Sequence, residues 1–259
     1  MTRAPCPTFI EAGEGDAAPL VMLHGIGSTA AGWRRHISAF GVGRRALAWN
    51  APGYADSTPL TEARPHIDDY AQRLLVLLDE TRIESAVLMA SSWGSLIALA
   101  AAAAWPDRIR KLILSGPTAG YGGLSAGKRQ QLMDTRSTRA QVIGIAAMLE
   151  ADTPRLAAPQ AAQSVLDDLA HAQRGVHLDG YLQALHAMVN EDALRTATRV
   201  HCPTLVIAGA RDLVAPAQQH ASLIHQALHA SRFHVLEDCG HLPHAERAED
   251  FAGWVRAFL

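Results

Sequence analysis

Short apolar runs recur along the chain, each closing on turn-forming residues: Leu20 to Leu23, Arg45 to Trp49, Ala86 to Met89, Lys111 to Leu114, Thr204 to Ala208 and Phe233 to Leu236. Their length and bounding turns predict strands. Between them, apolar residues fall at helical spacing over Trp33 to Phe40, Ile67 to Thr81, Trp93 to Ala104, Pro216 to Leu228 and Ala245 to Phe258. Strand and helix alternate, which predicts an α/β fold: a mostly parallel, doubly wound sheet with helices on both faces.

The alternation lapses between Ser115 and Val200. Val142 to Glu150, Gln160 to Gln173 and Gly180 to Val189 have helical character, and no run there reads as a strand. A helical insertion is therefore predicted, entered through Gly116-Pro117 to Gly122-Gly123, a composition that suits an exposed boundary. Ligands of α/β sheets bind beyond the carboxyl ends of the strands, where such an insertion would roof the site.

Composition narrows the partner. Hydrophobic residues make up 49% and charged residues 19% of the 259 positions, ordinary values for a globular chain with one large core. The net charge is −2, with Lys and Arg scattered. That distribution offers no basic face to nucleic acid or an anionic membrane, so a small-molecule partner is expected. The most apolar run, Leu96 to Trp105, is ten residues, against the ~20 needed to span a bilayer, and predicts a buried helix. Met1 to Gly15 contains no apolar stretch of signal-peptide length, and Cys6, Cys202 and Cys239 form no paired pattern. Together these point to a cytoplasmic protein with free thiols. The thirteen histidines form no H-E-x-x-H, and the close pair His241 and His244 has no further ligand set beside it, so neither a metal nor another cofactor is expected.

The strand at Ala86 runs through Ala90-Ser91-Ser92-Trp93-Gly94-Ser95 into an apolar helix, the setting of a nucleophile elbow. So tight a turn needs small residues two before and two after the nucleophile. Ser92 has Ala90 and Gly94 there, whereas Ser91 would have Met89 and Trp93. Ser92 is therefore the candidate nucleophile, although serines at strand-to-helix junctions more often only cap the helix. Trp93 opens the helix, so its backbone N–H is a candidate oxyanion donor. Ile26, in the loop His24-Gly25-Ile26-Gly27 after an earlier strand, offers the second. His24 itself reads as structural.

A serine is a poor nucleophile at neutral pH and needs an adjacent base, which in turn needs a carboxylate. Asp212 follows the strand Thr204 to Ala208, and His241 follows the strand Phe233 to Leu236. Alone, Asp212 would read as a helix cap and His241 as a surface histidine. The chain order Ser, Asp, His on three separate loops makes them the candidate acid and base. Glu237 and Asp238 are rival acids, but their closeness to His241 in sequence suits them to shaping its turn.

These residues, with Val21 to Gly25, Asn50-Ala51-Pro52-Gly53-Tyr54-Ala55-Asp56-Ser57, Pro203 to Pro216 and Gly240-His241 to Phe251, make the chain resemble the α/β-hydrolase superfamily along its length outside the insertion. The resemblance implies a core of residues 1–117 and 191–259, a helical cap over 118–190, and cofactor-free, esterase-like catalysis by Ser92, His241 and Asp212. Three positions depart from the family pattern: Ala90 for Gly, Asn50 for Asp, and Ala248 for Pro. Asn50 is expected to anchor its loop through side-chain hydrogen bonds, as Asp would. Position 92 is Ser rather than Asp, which disfavours dehalogenase and epoxide-hydrolase chemistry.

The leading expectation is hydrolysis of a small carboxylic ester or lactone. Carbon–carbon bond hydrolysis of a dienoic ring-cleavage product is the main rival; it needs a cation for the substrate carboxylate, for which Arg34, Arg129 and Arg136 are candidates. A cofactor-free perhydrolase and a ligand-binding protein with little turnover are further alternatives.

Overall fold

The computed structural model describes residues 4–259. Met1 to Arg3, which enter both the N-terminal reading and the first core segment, lie outside the described residues. The sheet consists of β1 (Phe9–Ala12), β2 (Leu20–Leu23), β3 (Ala46–Trp49), β4 (Ala86–Ser91), β5 (Ile109–Ser115), β6 (Thr204–Gly209) and β7 (Ser231–Leu236). Its order is β1-β3-β2-β4-β5-β6-β7, with β1 antiparallel to β3 and every other pairing parallel. All six predicted strands are present. The edge strand β1 was not predicted: Phe-Ile-Glu-Ala shows no alternation, and its backbone pairing with β3 supplies what its side chains do not signal.

The helices are α1 (Arg34–Phe40), α2 (Ile67–Glu80), α3 (Gly94–Ala104), α4 (Ala126–Ile143), α5 (Ile145–Leu156), α6 (Gln163–Gln173), α7 (Leu178–Asn190), α8 (Ala193–Ala197), α9 (Ala221–Ala227), α10 (Pro243–Glu246) and α11 (Ala248–Phe258). Alternate strand side chains divide between the two faces, as the pleat requires. Val21, Leu23, Leu88 and Ala90 join α2, α3, α8 and α9 in one core cluster. Leu20, Met22, Val87 and Met89 join α1 and α11 in the other. Helix α3 is buried from Gly94 to Ala102, which is why it is apolar all round.

Helices α4 to α8 lie between β5 and β6, the first four of them within the predicted insertion. The predicted helix Val142 to Glu150 is in fact two: α4 ends at Ile143 and α5 begins at Ile145, across Gly144 with φ of 84°, a left-handed conformation that glycine adopts without strain. Most of α4 leaves no apolar stripe in the sequence, because only Ala140 of its 18 residues is buried. The predicted helix from Pro216 shrinks to α9, since His220 leaves helical geometry and its Nδ1 accepts the Ala119 N–H at 3.1 Å. The insertion leaves and rejoins the sheet through a paired neck. Gly120 bridges Asp192, Gly122 N–H donates to Glu191 C=O at 2.7 Å, and Ala193 N–H donates to Ala119 C=O at 3.0 Å. Among the described residues no helix is long and apolar enough to cross a membrane.

Candidate active site

Strand β4 ends on Ser91, and the chain reverses into α3 through Ser92, whose φ is 50°. A left-handed serine costs conformational energy and persists where the surroundings over-determine it. The surroundings here are close: a Cβ on Gly94 would lie 2.7 Å from the His24 carbonyl oxygen and 2.8 Å from that of Leu23, so only glycine lets the turn seat against β2. Ala90 has no such demand. It pairs with Leu23 of β2 and Leu114 of β5, and its methyl enters the core, which is how this chain tolerates Ala where the family has Gly.

The Ser92 hydroxyl lies 2.9 Å from His241 Nε2, and His241 Nδ1 lies 2.7 Å from Asp212 Oδ2. All three residues are buried or nearly so. The second carboxylate oxygen of Asp212 accepts the N–H groups of Val214 and Ala215, each at 2.8 Å. Burial alone would raise the Asp212 pKa, but the hydrogen bond and charge of His241 and those two N–H groups hold it below the ordinary carboxylate value. Asp212 is thus an anion at neutral pH, and its bond to Nδ1 leaves Nε2 to accept the serine proton. Asp238 turns instead to an ion pair with Arg211.

The loop carrying Ile26 lies against the elbow, since a Cβ on Gly25 would stand 3.4 Å from that of Ser92. The N–H groups of Ile26 and Trp93 donate to no protein acceptor among the described residues. Tyr54, not singled out from sequence, donates its hydroxyl to the Ile26 carbonyl at 2.9 Å and stacks on Trp93 with centroids 5.8 Å apart. Its place in the Pro-Gly-Tyr segment was visible, but nothing in the sequence says where its hydroxyl goes. His24 has both ring nitrogens engaged: Nδ1 with Gly25 C=O at 2.9 Å and Nε2 accepting Ala51 N–H at 3.0 Å. Burial lowers its pKa to about 4, so it is a neutral strut. Asn50 anchors its loop through Oδ1, which accepts Ala30 N–H at 2.9 Å, and Nδ2, which donates to Thr8 Oγ1 at 3.0 Å.

A cavity of ≈ 860 Å³ opens over Ser92 and His241, with the insertion contributing Arg136, Met148, Leu149, Leu156 and Tyr181 to its lining. Of the three candidate cations, Arg34 and Arg136 line this cavity. Arg129 does not serve it: its guanidinium braces the loop before α4, donating to Gly122 C=O at 3.2 Å and Leu124 C=O at 2.7 Å. A further cavity-lining cation, Arg139, is neutralised by both oxygens of Asp152, at 2.7 and 2.8 Å.

Three known proteins are similar to this chain. The 2-hydroxy-6-oxononadienedioate/2-hydroxy-6-oxononatrienedioate hydrolase 2 of Pseudomonas putida is 29% identical over 269 residues, covering 97% of this chain and 90% of the relative. The enol-lactonase from Burkholderia xenovorans LB400 superposes with a TM-score of 0.86 at 25% identity, covering 97% of this chain and 95% of that one. A thermophilic esterase from Thermogutta terrifontis shares the fold, with a TM-score of 0.83 at 22% identity over 97% of this chain and 92% of its own. A family model for the alpha/beta hydrolase fold matches residues 18–248, and this chain belongs to the α/β-hydrolase family.

Proposed function

We propose that the chain is a serine hydrolase cleaving a small carboxylic ester or lactone through an acyl-enzyme on Ser92. The observation that carries this reading is the unbroken relay from Ser92 Oγ through His241 to Asp212, at 2.9 and 2.7 Å, on the floor of a large cavity. His241 takes the Ser92 proton as Oγ attacks the carbonyl, and Asp212 stabilises the resulting imidazolium. The Ile26 and Trp93 N–H groups hold the oxyanion; losing one such donor typically costs ~10²-fold or more in kcat. His241 then protonates the leaving group and activates the water that releases the acid. Helices α4 to α7 act as the cap, and Arg136 on α4 lines the cavity, where it would meet a carboxylate on a substrate that carries one.

Incubation with a short-chain p-nitrophenyl ester is expected to give a burst and an acyl adduct by mass spectrometry, both lost in Ser92→Ala. Turnover by neither protein would sink the esterase reading. Arg136 and the resemblance to the dienedioate hydrolase favour a second reading, carbon–carbon bond cleavage of a dienoic keto acid by the same triad. Turnover of such a substrate with no ester burst would establish it in place of the first.

A further inference from the structure

The loop bearing His241 is held from two sides. From below, Glu246 at the end of α10 folds its carboxylate back. Its Oε1 accepts the N–H groups of Gly240 at 3.0 Å and Leu242 at 3.3 Å, and its Oε2 accepts Gly240 N–H at 3.0 Å. From above, the insertion supplies the partner of the intervening amide, as His241 N–H donates to Leu156 C=O at 2.9 Å. The same Oε2 also accepts Ala158 N–H at 2.7 Å. One carboxylate therefore gathers amides from both flanks of His241 and from the segment that closes over the cavity.

We infer that Glu246 is a positioning residue: it fixes the backbone of His241 and couples that backbone to the seating of the insertion, so that closure over the substrate and placement of the base are one event. This rests on the serine-hydrolase reading above. The chemical logic is specific to a carboxylate. Every group it faces here is a donor, and a carboxylate presents acceptors on both oxygens, whereas Gln would aim an NH₂ at one set of N–H groups. Charge-assisted bonds of this kind are also stronger than neutral ones. A displacement of the base by a fraction of an ångström is costly, since even ~1 Å of misplacement can lower a rate by about 10²-fold.

The test compares wild type with Glu246→Gln, Glu246→Asp and Glu246→Ala in two measurements on folded protein. The first is the rate at which a fluorophosphonate labels Ser92, with kcat and KM on a p-nitrophenyl ester. Glu246→Gln is expected to label ~10 to 100-fold more slowly and to lose kcat with KM little changed, while Glu246→Asp recovers part of the rate. A merely structural glutamate would lower the melting temperature and leave the rate per folded molecule alone, which would overturn the proposal. The second is hydrogen–deuterium exchange. Peptides spanning 156–160 and 239–243 are expected to lose protection together in Glu246→Gln; loss at 239–243 alone would overturn the coupling. If wild type itself resists the fluorophosphonate, the serine-hydrolase reading fails, and the exchange result still decides whether the clamp exists.

Discussion

Around the candidate triad, individual substitutions separate chemistry from scaffolding. Asp212→Asn keeps the shape of the pair with His241 but reverses the tautomer it favours, and is expected to lower kcat by ~10³ to 10⁴-fold with little change in fold. Tyr54→Phe removes the bond that steadies the Ile26 carbonyl. A net hydrogen bond is worth about 0.5–1.5 kcal/mol, so steady-state kinetics should show a loss of roughly 2 to 13-fold, falling on kcat rather than KM. Arg136→Gln is expected to raise KM ~10-fold or more for an ester carrying a carboxylate and to leave a neutral ester unaffected. Equal effects on both substrates would remove Arg136 from recognition. Ser92, Asp212 and His241 were legible in the sequence because each sits one turn beyond a recognisable strand and their order is informative. Tyr54 and Glu246 were not, because a tyrosine beside a Pro-Gly turn and a glutamate near a helix usually have bland fates, and only the fold shows which amides and carbonyls they meet.

Among the elements, the elbow shows most directly how local sequence constrains the site. Gly94→Ala would drive a methyl into the backbone of β2; it is expected to cost about 1–3 kcal/mol of stability and to abolish labelling of Ser92. Ala90→Gly is the informative counterpart. Ala90 sits in regular strand pairing, so glycine there should cost about 1 kcal/mol while activity survives, as urea melts and ester kinetics would show. Strands β2 to β7 were readable as short apolar runs closed by turn residues, α1 and α2 by their helical spacing, and α3 by its unbroken apolar run, which is buried from Gly94 to Ala102. The insertion was readable only in part: α6 and α7 bury stripes, whereas α4 lies largely in solvent and its helicity comes from a Ser125 cap and from packing against neighbours rather than from pattern.

At the scale of the molecule, buried histidines make stability depend on pH. Burial lowers His24 to about 4, and burial with the Arg35 charge lowers His36 to about 4, partly opposed by Asp168. His244, stacked on Trp33 at 4.4 Å and bonded to Ser115 Oγ at 3.0 Å, is held well below its ordinary value of 6.5, chiefly by burial. The unfolded chain takes up these protons near 6.5, whereas the folded chain refuses those of His24 and His36 until about 4 and that of His244 until well below 6.5. Their contribution is therefore complete above 6.5 and is lost as pH falls through that window, at up to ~1.4 kcal/mol per pH unit for each group. Urea midpoints measured from pH 8 to pH 5 should fall below about 6.5, less steeply in His36→Gln; a flat profile would refute this account. Finally, the paired neck at residues 119–122 and 191–193 has a consequence for how such a chain can change. Because both ends of the insertion meet side by side, the intervening segment can be exchanged as one cassette, with the sheet and the candidate triad left in register beneath it. A chimera spliced at Gly120 and Asp192 should inherit the donor's substrate range on this chain's catalytic floor, provided the incoming segment offers backbone partners for His241 and Glu246.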